Sequence, residues 1–223
     1  SCWEADGGAD TATLDQMLKV GPAMISHRNR AVTAEDFEWL AKEASRKVAK
    51  VRCLPNTNNK KQTEIGWVTA IIVPDSLDAK PFPSLELRRK VRQYLEAHCA
   101  NTVASAKHIY ADGPSYTEIG VSVDVFVTSI DVASKVERDV RKKLKAFFHP
   151  LTGGAEGKGW DFGRDVSASD IYALLENIEA IDHVENLKFT SDGTTIEDTV
   201  EVKRDSLVAN GTHMVNLQLI NGG

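Results

Sequence analysis

The sequence predicts an α+β fold of two small domains, each with helices packed on a mostly antiparallel sheet. Three observations predict it. The first half reads helix, strand, strand, helix, strand, with no regular strand–helix repeat. The second half opens on Ile119, Val121, Val123, Val125 and Val127, an alternation of period two held over nine residues. Capping residues then mark helix starts among further strands, and that mixture defines the α+β class.

Taken in order, residues 1–10 are small, polar and glycine-containing, and read as a loop. Thr13 to Val20 has helix signals: a Thr13 cap, Gln16 three residues on, and a stripe of Leu14, Met17 and Leu18. Gly21-Pro22 interrupts it. Thr33 with Asp36 forms a capping-box pair, and Phe37, Leu40, Ala41 and Ala44 line one helical face. Val48 to Leu54 reads as a strand, Asn56 to Thr63 as a polar hairpin-like loop, and Gly66 to Val73 as a strongly apolar strand closed by Pro74-Asp75. Ser84 caps a helix whose stripe is Leu87, Val91, Tyr94 and Leu95, and Lys107 to Ala111 is a short strand. Asp112-Gly113-Pro114 punctuates the chain there. The predicted divisions are a lead-in over 1–30, a first domain over 31–112 and a second over 113–223.

In the second domain, Asp131 is the expected cap of a helix with Val132, Val136, Val140, Leu144 and Phe147 inward. Pro150 to Gly163 is a loop with five glycines. Ser167 and Asp170 cap a further helix, with Ile171, Leu174, Leu175 and Ile178 inward. Val184 to Phe189 and a segment beginning at Val200 and Val202 read as strands. Leu207 to Leu219 reads as a hairpin turned at Asn210-Gly211, the preferred type I′ pair.

Composition bounds the function. The 223 residues carry a formal net charge of −5, which gives no global attraction to nucleic acid or anionic membrane. No run approaches the roughly 20 apolar residues of a membrane span. Cys2, Cys53 and Cys99 are odd in number and widely spaced, as buried or incidental free thiols are. The start at Ser1-Cys2-Trp3, inside a polar segment, is that expected of a piece of a longer protein.

Candidate chemistry is sparse. Between Gly153 or Gly154 and Gly157-Lys158 lie only three or two residues, where a phosphate-binding P-loop needs four, and Gly159 stands where Ser or Thr should be. The alternative is an ordered loop with Trp160 and Phe162 as anchors. The histidines form no HExxH or HxH pair. His149, before Pro150, suits a helix C-terminus as a cation. Asp182 and His183 are adjacent, and strand neighbours point to opposite faces. No GxSxG elbow and no obvious acid–base pair is present, so no catalytic, cofactor-binding or metal-binding residue is assigned. Six basic residues lie between Lys135 and Lys145, and eleven acidic ones between Asp165 and Asp205. They read as solvated faces or as complementary interface patches.

Three passages together resemble one family. They are Gly7-Gly8-Ala9-Asp10 through Arg30-Ala31-Val32-Thr33-Ala34-Glu35-Asp36-Phe37; Phe148-His149-Pro150-Leu151-Thr152-Gly153-Gly154 with Gly159-Trp160-Asp161-Phe162-Gly163-Arg164; and Leu207 to His213. They are similar to the C-terminal portion of the baseplate J-like family, the baseplate assembly proteins of contractile phage tails and related injection systems. The resemblance implies a non-catalytic wedge component without cofactor. Its expected partners are other wedge subunits (copies of itself or a paralogue) and hub and sheath-proximal proteins. Its expected place is the particle baseplate, assembled in the bacterial or archaeal cytoplasm. Pro150, Gly153, Gly154, Trp160, Phe162 and Arg164 are the expected structural or interface loop. The alternative classes are a tail-associated carbohydrate- or receptor-binding module, which would expose aromatics, and a hydrolase.

Overall fold

The structure, a computed structural model, describes residues 30–99 and 106–220. The expected Thr13–Val20 helix, the Gly7–Asp10 passage, Cys2 and His27 lie outside the described residues.

The first helix, α1 (Ala34–Ala44), starts where the sequence places it. The Thr33 hydroxyl accepts from the Asp36 N–H, and the Asp36 carboxylate accepts from the N–H groups of Thr33 and Val32, at 2.7 and 2.9 Å. Phe37, Leu40, Ala41 and Ala44 are all buried. Strands β1 (Val48–Thr57) and β2 (Thr63–Pro74) form an antiparallel hairpin. Helix α2 (Leu85–His98), capped by the Ser84 hydroxyl, crosses over to β3 (Ile109–Asp112), which lies parallel to β2. The sheet order is β1-β2-β3. Val68, Ala70 and Ile72 of β2 face α1 and α2 in a first hydrophobic cluster.

The second half begins with β4 (Ser115–Val127), whose Ile119, Val121, Val123, Val125 and Val127 are all 1 % exposed or less. Next come α3 (Ile130–Phe147), β5 (Val166–Ser167), α4 (Ala168–Glu176) and β6 (Ile181–Ser191). The short β7 (Thr194–Ile196) and β8 (Thr199–Val200) follow, then β9 (Ser206–Asn210) and β10 (Met214–Leu219). The main sheet runs β10-β4-β6-β7, with β9 beside the start of β4. The fold is α+β, and its sheets are mixed. The long β1–β2 and β4–β6 pairings are antiparallel, whereas β3, β9 and β10 join as parallel strands.

A second hydrophobic cluster fills the space between this sheet and α3 and α4, and Val73 of β2 belongs to it. Every residue from Val68 to Val73 is buried because β2 is covered on both faces.

Three local expectations need correction. Ser129, not Asp131, caps α3: its hydroxyl accepts from the Asp131 N–H at 3.3 Å, and Asp131 sits in the first turn, where a carboxylate suits the helix dipole. Residues 207–219 are not a hairpin. Strands β9 and β10 do not pair with each other; both run parallel to β4, against residues 115–119 and then 122–127. The partner offset changes by one residue across Gly211–His213, so the segment is one strand course broken by a bulge-like step. Neither Asn210 nor Gly211 takes the positive φ that a type I′ turn requires. Finally, the Asp182 and His183 side chains meet at 2.7 Å. Val127 pairs with Ile181 and Phe126 with His183, so Asp182 is an extra residue in the ladder and the alternation fails there.

Candidate structural loop and the seam it closes

The expected loop spans the connection from α3 to β5. Helix α3 ends with carbonyls that have no partner inside the helix. The chain beyond folds back to satisfy them. Phe148 N–H donates to Leu144 O at 3.0 Å and His149 N–H to Ala146 O at 3.2 Å. Phe147 O accepts twice, from Gly154 N–H and from the Trp160 indole Nε1, both at 2.8 Å. Pro150 O accepts from Trp160 N–H at 2.9 Å, and Gly159 N–H donates to Gly153 O at 2.8 Å.

Gly153 is a steric requirement: a Cβ there would run into the carbonyl oxygens of Phe147 and His149. Gly159 is in the left-handed region at φ +80°, and a Cβ there would meet the Leu151 and Pro150 carbonyls.

Trp160 is 1 % exposed. Its ring lies edge-on to Phe147 at 5.2 Å and parallel to Phe148 at 6.5 Å. Phe162 packs half-buried against the same cluster. Arg164 is exposed and lays its guanidinium over the Trp160 ring at 5.6 Å from the centroid. Pro150 and Gly153 are buried and Gly154 half-buried. The structure thus brings all six expected residues into one unit: Pro150, Gly153, Gly154 and Trp160 as its frame, Phe162 and Arg164 at its rim.

The loop also receives the first half of the chain. Lys50, on β1, donates from Nζ to Trp160 O at 2.8 Å and lies 3.6 Å from Asp161 Oδ1. Burial pulls the Lys50 pKa down, and the Asp161 charge opposes that shift. Further along the seam, Tyr116 Oη donates to Pro81 O at 2.6 Å, Lys80 pairs with Glu118, and Lys61 Nζ reaches Asp205 at 2.6 Å and Ser115 Oγ at 2.5 Å. Lys61 comes from the polar β1–β2 loop. That loop is held by Asn58, only 7 % exposed, whose Oδ1 accepts from the N–H groups of Lys60 and Gln62.

Sequence reasoning missed Lys50, Lys61, Tyr116 and His213. A lysine at position 50, between Val48 and Val51 of a strand, was the available signal for the first. His213 carried no signal beyond following Asn-Gly-Thr. It fills the break between β9 and β10: Nδ1 accepts from Val121 N–H at 3.1 Å, leaving the proton on Nε2 to donate to Asn210 Oδ1 at 2.8 Å. Phe148 stacks on it at 5.6 Å, and Arg141 donates to its carbonyl at 2.7 Å. Burial first, then Arg141, depresses its pKa to about 4. Gly120 faces this break, and a Cβ there would collide with Thr212 O.

The other candidates resolve into local structural roles. His149 serves the loop and not the helix carbonyls: its Nδ1 accepts from Leu151 N–H at 3.3 Å and from Thr152 N–H at 3.2 Å. His98 bonds to Tyr94 O, His108 stacks on Trp67 at 4.6 Å, and His183 stacks on Phe126 at 4.2 Å. Cys53 is a buried thiol pushed up to about 12 by burial. On α3, Lys135, Arg138, Lys142 and Lys145 form an exposed stripe. The acidic stretch is not one patch. Asp165 accepts from Val202 N–H, Asp170 caps α4 and Asp205 pairs with Lys61, whereas Asp182 and Glu185 flank His183. Among the described residues no helix is long and apolar enough to cross a membrane.

No protein-family model matches the chain. No curated protein matches it by sequence. Among solved structures, it is similar to a chain of the anti-feeding prophage (AFP) baseplate, determined by cryo-EM and 6-fold symmetrised, with a TM-score of 0.66 and 19% sequence identity. The likeness covers 92% of this chain and 42% of that one, so this chain spans less than half of its neighbour's length. The chain therefore shares the fold of part of a protein found in that baseplate.

Proposed function

We propose that the chain is a structural component of the baseplate of a contractile phage tail or phage-tail-like injection particle, acting through protein–protein contacts. The observation that carries this reading is the fold likeness to an AFP baseplate chain over 92% of the present chain. The finer assignment rests on the three sequence passages quoted above: a wedge subunit of the baseplate J-like family, represented by its C-terminal portion. In it, units 31–112 and 113–223 act as one block, clamped by the 150–164 loop. The internal use of Trp160, Lys50, His149 and His213 supports a module built for shape rather than turnover. Its partners are other wedge subunits, of the same chain or a paralogue, with hub and sheath-proximal proteins beyond.

Immunogold electron microscopy of native sheathed particles, with antibody raised against this chain, tests the proposal. Label confined to one end of the sheath is expected. Intact particles without label, with the protein found free in the same lysate, would sink it.

A further inference from the structure

Among the described residues, four strands form the ends of the two principal sheets: β1 and β3 in the first, β10 and β7 in the second. Open edges invite pairing with another chain, and soluble proteins blunt them with charge, proline or shortness. Strand β1 carries Lys50, Arg52 and Pro55. Strands β3 and β7 have four and three residues. Strand β10 has none of these protections. Its six residues continue in register to Ile220, whose N–H donates to Val127 O at 3.2 Å. From Met214 to Ile220 there is no Asp, Glu, Lys, Arg or Pro. Met214, Leu219 and Ile220 are 61, 45 and 38 % exposed.

The order of residues supplies the occupant. Around Leu217, amides stand at one residue on either side (Asn216, Gln218), and apolar side chains at two (Val215, Leu219) and at three (Met214, Ile220). Val215 and Leu217 pack against the second cluster, and Asn216 points to the opposite face, where its Nδ2 donates to Asp124 Oδ1 at 2.9 Å. We propose that β10 pairs antiparallel with β10 of a second copy of this chain, about a two-fold axis through Leu217. Val215 then faces Leu219 of the second copy, Asn216 faces Gln218, and Met214 faces Ile220. Every cross-strand pair joins like chemistry without charge repulsion, as an isologous contact requires. The two sheets become one continuous sheet and both open edges disappear.

This pairing goes beyond the baseplate reading, and a chain that stays monomeric would overturn it while leaving that reading untouched. Sedimentation equilibrium of the purified 223-residue chain is the test. The wild type is expected to be in monomer–dimer equilibrium. Asn216→Lys with Gln218→Lys sets lysine against lysine in both symmetry-related pairs and should weaken the dimer about tenfold. Asn216→Lys with Gln218→Glu makes the same pairs complementary and should restore it. Amide hydrogen exchange of the wild type provides a readout that needs no variant: protection over 214–220 should rise with protein concentration. A wild type monomeric at every concentration, a dimer indifferent to the double lysine variant, or protection independent of concentration would each overturn the pairing.

Discussion

The Trp160 indole donates its N–H to the Phe147 carbonyl at 2.8 Å while the two rings meet edge-on at 5.2 Å. One side chain thus closes the end of α3 and fills the core beneath it. Trp160→Ala removes both contributions and should destabilise the fold by about 3–5 kcal/mol. Trp160→Phe keeps most of the apolar volume and should cost about 1–3 kcal/mol, because Phe147 O retains the Gly154 N–H. Urea unfolding of the two variants checks the order: equal losses would show that the ring's packing adds nothing, and a Trp160→Phe variant as stable as wild type would show that the hydrogen bond adds nothing.

Gly153→Ala should destabilise by about 1–3 kcal/mol or more, since the added methyl meets backbone oxygens that cannot turn aside. Gly193→Ala is the control. Gly193 has φ +77° but open space around it, so only the left-handed backbone cost of about 1–2 kcal/mol applies. Thermal melts of the two variants should rank Gly153→Ala as the more damaged protein.

His213 should make stability depend on pH. Its folded pKa of about 4 lies below the ordinary value of 6.5, so between those limits the unfolded chain holds a proton that the folded chain lacks. The stabilisation is therefore full above about pH 6.5 and lost as pH falls towards 4, by up to roughly 3 kcal/mol. His213→Asn keeps an acceptor near Nδ1 but cannot titrate. The stability gap between wild type and this variant should move in favour of the variant as the pH drops; a gap constant from pH 7 to pH 4 would contradict the assignment.

Lys50→Met keeps the aliphatic stem but leaves Trp160 O without the ammonium, at an expected cost of about 1–3 kcal/mol. Asp161→Asn should cost under about 0.5 kcal/mol, because Asp161 is 83% exposed and an ion pair in water contributes little. Urea midpoints of both variants decide between carbonyl and carboxylate. The reverse ranking would mean that the ion pair, not the carbonyl bond, holds β1 to the loop.

Much of the fold was legible because its causes are local. The Thr33–Asp36 box lies within four residues, and the alternation over Ile119–Val127 is that of one strand with one buried face. The loop residues were legible for a related reason. Pro150, the glycines and Trp160 are residue types that a tight chain reversal demands, and all of them sit within fifteen residues.

What failed to show in the sequence depends on distant partners. Asn210-Gly211 carries the local signature of a hairpin turn, yet β4 offers a long unpaired edge on which β9 and β10 both run parallel. Gly120 and His213, more than ninety residues apart, shape that break together. Asp182 and His183 share a side only because β6 carries one residue more than β4 across their bulge. Lys50 found its acceptor 110 positions away in the chain. Periodicity and capping act through neighbours a few residues apart, so composition and order alone determine the helices, the buried strand faces and the α+β class. Strand pairing, bulges and the seam between the two halves are settled by which distant backbone groups still lack partners once those elements pack, and that is decided only in three dimensions.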